Sequence, residues 1–192
     1  MAQPIMADDT KRVVMLGDSI TAGYGLNAGE ELPVQLEKAL EDRGITATVE
    51  NAGVSGDTTA GGLSRLDWAV QGQPDLVIVA LGANDGLRGI DPADTRANLA
   101  GIVAQLQDRD VPVMLAGMYA PPNMGSEYAQ QFNAIYPELA GAEGVPLYPF
   151  LLDGVAAEAE LNQADGIHPN PDGVKIIAER MAGPVADVLN SP

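Results

Sequence analysis

The sequence predicts an α/β protein: a single domain in three layers, helices on both faces of a mainly parallel five-stranded sheet. Three observations carry that prediction. Short apolar runs alternate with longer stretches of helical character along the whole chain. The first run, Val13-Val14-Met15-Leu16, has no polar alternation, which is how a strand covered on both faces reads. A chain of 192 residues, 46% of them hydrophobic, suits one domain with a full core.

Taken in order, the expected strands are 13–16, 47–49, 76–81, 113–116 and 145–148. The expected helices are 32–43, 58–70, 94–108, 126–140 and 173–189. Strand alternating with helix implies right-handed crossovers between parallel strands. Asp91-Pro92-Ala93-Asp94 opens one helix with a capping acid, a proline at the first helical position and an acid facing the positive end of the dipole. The last helix carries Val174, Ile176, Ile177, Met181 and Val185 on one stripe and is expected to close the core. Glycine and proline punctuate the connections without forming a linker, and there is no internal repeat. Residues 1–11 read as an N-terminal extension and 12–190 as the domain.

Charge and composition remove several function classes. With 27 acidic and 10 basic residues the chain carries −17, which repels phosphate backbones and anionic headgroups, so nucleic acid is not an expected partner. No run of about 18 apolar residues exists, so no stable membrane insertion is expected. The absence of cysteine removes disulfides, thiolate nucleophiles and cysteine zinc sites. Ala2-Gln3-Pro4 after the initial Met has the look of the mature end of an exported protein given a new Met. A periplasmic or secreted location is the expectation, with the cytoplasm as the alternative. The uncompensated acidity also predicts a salt-tolerant fold, stabilised as salt screens its self-repulsion.

The chemistry begins where the first strand breaks on Gly17-Asp18-Ser19. Asp18 and Ser19 are both good helix caps, so one reading is a strand handing over to a helix. The sharper reading makes Ser19 a nucleophile at the carboxyl end of a parallel strand, where open α/β sheets place their ligands. A serine nucleophile needs a base that is neutral near pH 7. The chain has one histidine, His168, and the following proline keeps it out of the last helix. Asp165, three residues upstream, is placed to accept from Nδ1–H and leave Nε2 for the serine proton. An acyl-transfer site further needs donors aimed at an oxyanion. Gly56, in Asn51-Ala52-Gly53-Val54-Ser55-Gly56-Asp57, lets a backbone N–H approach a ligand, and Asn84, in the loop after the third strand, offers an amide. Either loop alone has an ordinary turn reading.

Together the blocks GDSIT, SGDTT, GAND and DGIHP resemble those of the SGNH hydrolase, or GDSL lipase/esterase, superfamily. The stretches GANDGLRG, FNAIYPELA, VPLYPF and DGIHPN resemble its bacterial branch of multifunctional thioesterase/lysophospholipases and arylesterases. The resemblance implies a flavodoxin-like sheet, Ser19 as nucleophile, His168 as base and Asp165 as its orienting acid. It also implies an oxyanion hole made by the N–H groups of Ser19 and Gly56 and the side chain of Asn84. Ile20 stands where the family usually has Leu, a swap of similar volume.

The expected function is therefore hydrolysis of carboxylic esters through an acyl-enzyme, on short- to medium-chain acyl or aryl esters and potentially thioesters and lysophospholipids. No metal or cofactor is called for, and the partner is a small-molecule ester. Monomer and dimer are both open. Met118, Tyr119 and Met124, in the segment after the fourth strand, are candidates for an acyl groove. Two rival readings remain. Asp18 could serve as a strand-end aspartate in Mg²⁺-dependent phosphoryl transfer or a receiver domain, with Asp85 as a second acid. The same scaffold could also be a noncatalytic ester- or glycan-binding domain. The absence of Gly-x-Ser-x-Gly, GxxxxGK[ST], GxGxxG and HExxH argues against an α/β-hydrolase elbow and against common nucleotide and zinc sites.

Overall fold

A computed structural model describes residues 10–191. Five parallel strands form one sheet: β1 (Lys11–Gly17), β2 (Ala47–Gly53), β3 (Leu76–Ala80), β4 (Val113–Ala116) and β5 (Leu147–Tyr148). Their spatial order is β2-β1-β3-β4-β5. Chain direction across the sheet reverses between β1 and β3, the switch point at which open α/β sheets form a crevice. Every residue of β3 is buried, as are Val13 to Gly17 of β1, which explains their unbroken apolar sequence.

The helices are α1 (Ser19–Ala22), α2 (Leu32–Glu41), α3 (Thr59–Ser64), α4 (Leu66–Ala69), α5 (Ala83–Arg88), α6 (Pro92–Gln107), α7 (Ser126–Glu143) and α8 (Pro171–Leu189). α8 packs on α2, while α6 contacts both α3 and α7, so the two groups form layers about the sheet. The stripe expected on the last helix lies inward: Val174, Ile177, Met181 and Val185 are buried, and Ile176 packs at the edge of the core. Asp91 caps α6, its carboxylate accepting from Ala93 N–H at 2.9 Å.

Four expectations need correction. The helix expected over 58–70 is two, broken at Arg65, whose backbone leaves helical geometry while its guanidinium turns to the ends of β1 and β2. Two glycines, Gly61 and Gly62, weaken the first piece. The segment around Asn84, read as a loop, is the first turn of α5. The last strand starts at Leu147 because Val145 N–H still bonds Ala140 O at the end of α7. The first strand begins at Lys11, one residue inside the expected extension. The rest of that extension is residue Thr10 and residues 1–9. The expectation resting on Ala2-Gln3-Pro4 lies outside the described residues. No described helix is long and apolar enough to cross a membrane.

Candidate active site

β1 ends on Gly17, and the reason for a glycine there is contact. A Cβ would sit 2.0 Å from Thr21 Oγ1 and 3.1 Å from Ala80 O. The chain then turns into the single-turn helix α1. Asp18 caps it, its Oδ1 accepting from Ile20 N–H at 3.0 Å, and Ser19 occupies its first position. Ser19 Oγ lies 2.8 Å from His168 Nε2. His168 Nδ1 lies 2.7 Å from Asp165 Oδ2. A carboxylate only accepts, so this contact puts the proton on Nδ1, leaves Nε2 as acceptor and makes the serine hydroxyl the donor. Asp165 Oδ1 also accepts from the N–H groups of Ile167 and His168, both at 3.0 Å. The imidazole contact and these two N–H groups hold the Asp165 carboxyl down at about 2.

Gly56 and Asn84 reach the same place. Gly56 has φ +81°, a conformation that disfavours a side chain. Its carbonyl accepts from Arg88 Nη2 at 2.6 Å. Asp57 O, one residue on, accepts from Asn84 Nδ2 at 2.9 Å. Thus both ends of α5 grip the Gly56-Asp57 segment. Arg65 fixes it from behind: Nε donates to Asp57 Oδ2 at 2.6 Å, Nη1 to Ala52 O and Nη2 to Gly17 O, each at 3.0 Å. Arg65 and Asp57 form a largely buried pair.

The base loop is held differently. Gln163 N–H donates to His168 O at 2.7 Å, and its Nε2 donates to Tyr24 O at 2.7 Å and Pro169 O at 3.0 Å. One side chain therefore joins the His168 loop to the segment just after α1. The Tyr24 ring lies against the His168 ring, centroids 4.8 Å apart. Arg65, Arg88 and Gln163 are absent from the sequence reading. The weak signal available was a lone cation within each of two motif-bearing segments.

Ser19, Gly56, Asn84 and His168 line one cavity of about 390 Å³. Met118 and Tyr119 lie on its wall, with Tyr119 stacked on Phe150 at 4.4 Å between centroids. Met124 does not reach it. It is not among the lining residues, and its Cε lies against Gly89, 2.9 Å from where a Cβ there would sit.

The magnesium reading of Asp18 does not fit these residues. Asp18 is 2% exposed, and burial above all, against the opposing pull of Ile20 N–H and His168, raises its carboxyl to about 6. Asp85, the proposed second acid, is buried under Thr59, its carboxylate accepting from Thr59 N–H at 2.9 Å and from the Thr59 and Thr95 hydroxyls. Among the described residues no three His, Asp or Glu side chains gather to hold a metal ion.

Residues 15–176 match the GDSL-like Lipase/Acylhydrolase family. The chain belongs to this family. It is 40% identical over 174 residues to an arylesterase of Vibrio mimicus, covering 90% of this chain and 87% of that one. It is 38% identical over 179 residues to thioesterase 1/protease 1/lysophospholipase L1 of Escherichia coli K12, covering 93% and 85%. The crystal structure of AlinE4, an SGNH-hydrolase family esterase, superimposes with a TM-score of 0.79 at 45% identity, covering 95% of this chain and 98% of that one. Family and branch agree with the motif resemblance, and the chain is a carboxylic ester hydrolase of the SGNH type.

Proposed function

We propose that the chain hydrolyses its esters through an acyl-enzyme on Ser19. The observation that supports this best is the unbroken hydrogen-bonded line from Asp165 Oδ2 through the His168 ring to Ser19 Oγ, with contacts of 2.7 and 2.8 Å. Ser19 Oγ attacks the acyl carbonyl while His168 Nε2 takes its proton, and Asp165 stabilises the imidazolium. The carbonyl oxygen becomes an oxyanion held by the N–H groups of Ser19 and Gly56 and by Asn84 Nδ2. The tetrahedral species collapses, the C–O bond to the alcohol breaks, and Nε2–H protonates the departing alkoxide. Water, deprotonated by the same nitrogen, then releases the acid and restores the serine. No step needs a group beyond this chain and water.

A cavity of about 390 Å³ is at the small end of the roughly 300–1,000 Å³ of ligand sites. It favours short- to medium-chain acyl groups or a single aryl group, bounded by Met118 and Tyr119. Thioesters and lysophospholipids present the same acyl carbonyl to Ser19. The test is Ser19→Ala with a chromogenic butanoate ester: turnover and covalent labelling by a fluorophosphonate should both vanish while circular dichroism is unchanged. Near-wild-type turnover in a folded Ser19→Ala protein would remove Ser19 from the reaction.

A further inference from the structure

In a chain with 27 acidic and 10 basic residues, no Asp, Glu, Lys or Arg among the described residues lines the cavity. Its mouth is apolar as well. Tyr24, Leu87, Tyr119 and Ile167 line it and are each about half exposed, at 54%, 50%, 50% and 49%. The charges that flank the lining segments in sequence are mostly negative. Asp153 follows Leu152, Glu158 follows Ala157 and Asp165 precedes Gly166. Asp153 is paired with Arg180 and Asp165 with His168, whereas the exposed Glu158 makes no ion pair among the described residues. The one cation next to a lining residue in sequence, Arg88 beside Leu87, has its Nη2 bonded to Gly56 O.

A charged acyl tail would have to enter this wall without a counter-ion, and burying an unpaired charge is costly. An anionic leaving group would stay at the mouth, where the exposed Glu158 next to Ala157 and the chain's −17 charge repel it. We infer that the site selects esters and thioesters whose acyl chain is uncharged and whose leaving group carries no net negative charge, and so discriminates against anionic acyl donors. The inference rests on the reading of Ser19 and its cavity as the ester site. The two sides differ in kind: exclusion from the wall is a desolvation effect that salt does not relieve, whereas repulsion at the mouth is screened.

Two matched pairs test this on the purified chain. On the acyl side, 1-naphthyl butanoate is compared with the 1-naphthyl half-ester of succinate. On the leaving-group side, the butanoyl thioester of N-acetylcysteamine is compared with butanoyl-CoA. At low salt each anion should show a kcat/KM at least about tenfold lower than its neutral mate. Raising NaCl to about 0.5 M should narrow the CoA gap and leave the succinate gap. Glu158→Lys should raise kcat/KM for butanoyl-CoA about threefold at low salt and leave naphthyl butanoate unchanged. Equal rates for charged and neutral mates, or a CoA gap indifferent to both salt and Glu158→Lys, would overturn the inference while leaving the esterase reading intact. Neutral-ester turnover that survives Ser19→Ala would overturn the reading beneath it, and the inference with it.

Discussion

Around Ser19, Gly56 and Asn84 the chain is fastened by side chains from separate elements, whereas Asp165 and His168 are fastened chiefly by their own loop. On the first side, Arg65 ties Gly17, Ala52 and Asp57 together, Arg88 holds Gly56 O and Asn84 holds Asp57 O. On the second, the Asp165 carboxylate takes the N–H groups of its own loop, and Gln163 supplies the side-chain hydrogen bond across to Tyr24, whose ring lies against that of His168. In the proposed reaction the oxyanion donors must be in place before charge develops, since preorganisation is what makes them effective. The imidazole, as the proposed base, has to meet Oγ in one step and a departing oxygen in another. A stiff cradle facing a less heavily tied base suits that division of labour.

Removing Arg65 should break the first side outright. Arg65→Ala leaves the Asp57 carboxylate without its partner in a largely buried place, a change worth about 3–5 kcal/mol, and urea unfolding should show it together with loss of turnover. Asn84→Ala should lower kcat by about 10² with little change in KM. A pure KM effect would move Asn84 from the oxyanion to substrate binding.

Asp18 tests whether the first side carries stored cost. Its folded carboxyl lies at about 6, above an unfolded value of about 3.9. Between those values the folded state holds more protons, so stability is fully present below about pH 4 and is lost as pH rises through 6. Asp18→Asn keeps an acceptor for Ile20 N–H and removes the charge. Its melting point should match wild type near pH 4 and exceed it by several degrees at pH 7. A constant offset across that range would refute the buried charge as the cause.

The second side should respond more mildly. Gln163→Ala should lower kcat about tenfold with KM and melting point nearly unchanged, and Gln163→Glu, which loses the donor, should behave likewise. Full kcat in both would mean that the His168 loop holds itself. Smallest of all should be salt: about 1 M NaCl screens the −17 charge, raising the melting point by a few degrees and leaving neutral-ester turnover in place. A flat or falling midpoint would show that local pairing already offsets the acids.

The same contrast governs what could be read from the sequence. Ser19, Gly56, Asn84, Asp165 and His168 lie in short blocks whose turn chemistry is local, so residue order alone places them just after strand ends and in loops, except that Asn84 stands in the first turn of α5. Arg65, Arg88 and Gln163 bond to backbone carbonyls 48, 32 and 139 residues away. A carbonyl has no side-chain identity, so no pattern of residue types announces such a partner. The helix break at Arg65 was hidden for the same reason, because the bonds that pull it out of the helix are to Gly17 and Ala52. Met124 was misassigned because composition places a flexible apolar side chain in a segment without saying which way it turns.

Ser19 and His168 stand 149 residues apart in the chain, and the helix following His168, α8, packs back on α2. A domain folds as a unit, so the two partners of the proposed triad come together only as that unit closes. On the proposed mechanism, until the final segment docks the chain holds an unactivated hydroxyl and is silent toward esters. The first hydrolytic signal, in a translation extract or a refolding cuvette, thus times the last docking event and not the collapse that precedes it. A fluorogenic ester becomes a stopwatch for completed folding, one that prematurely terminated chains never start.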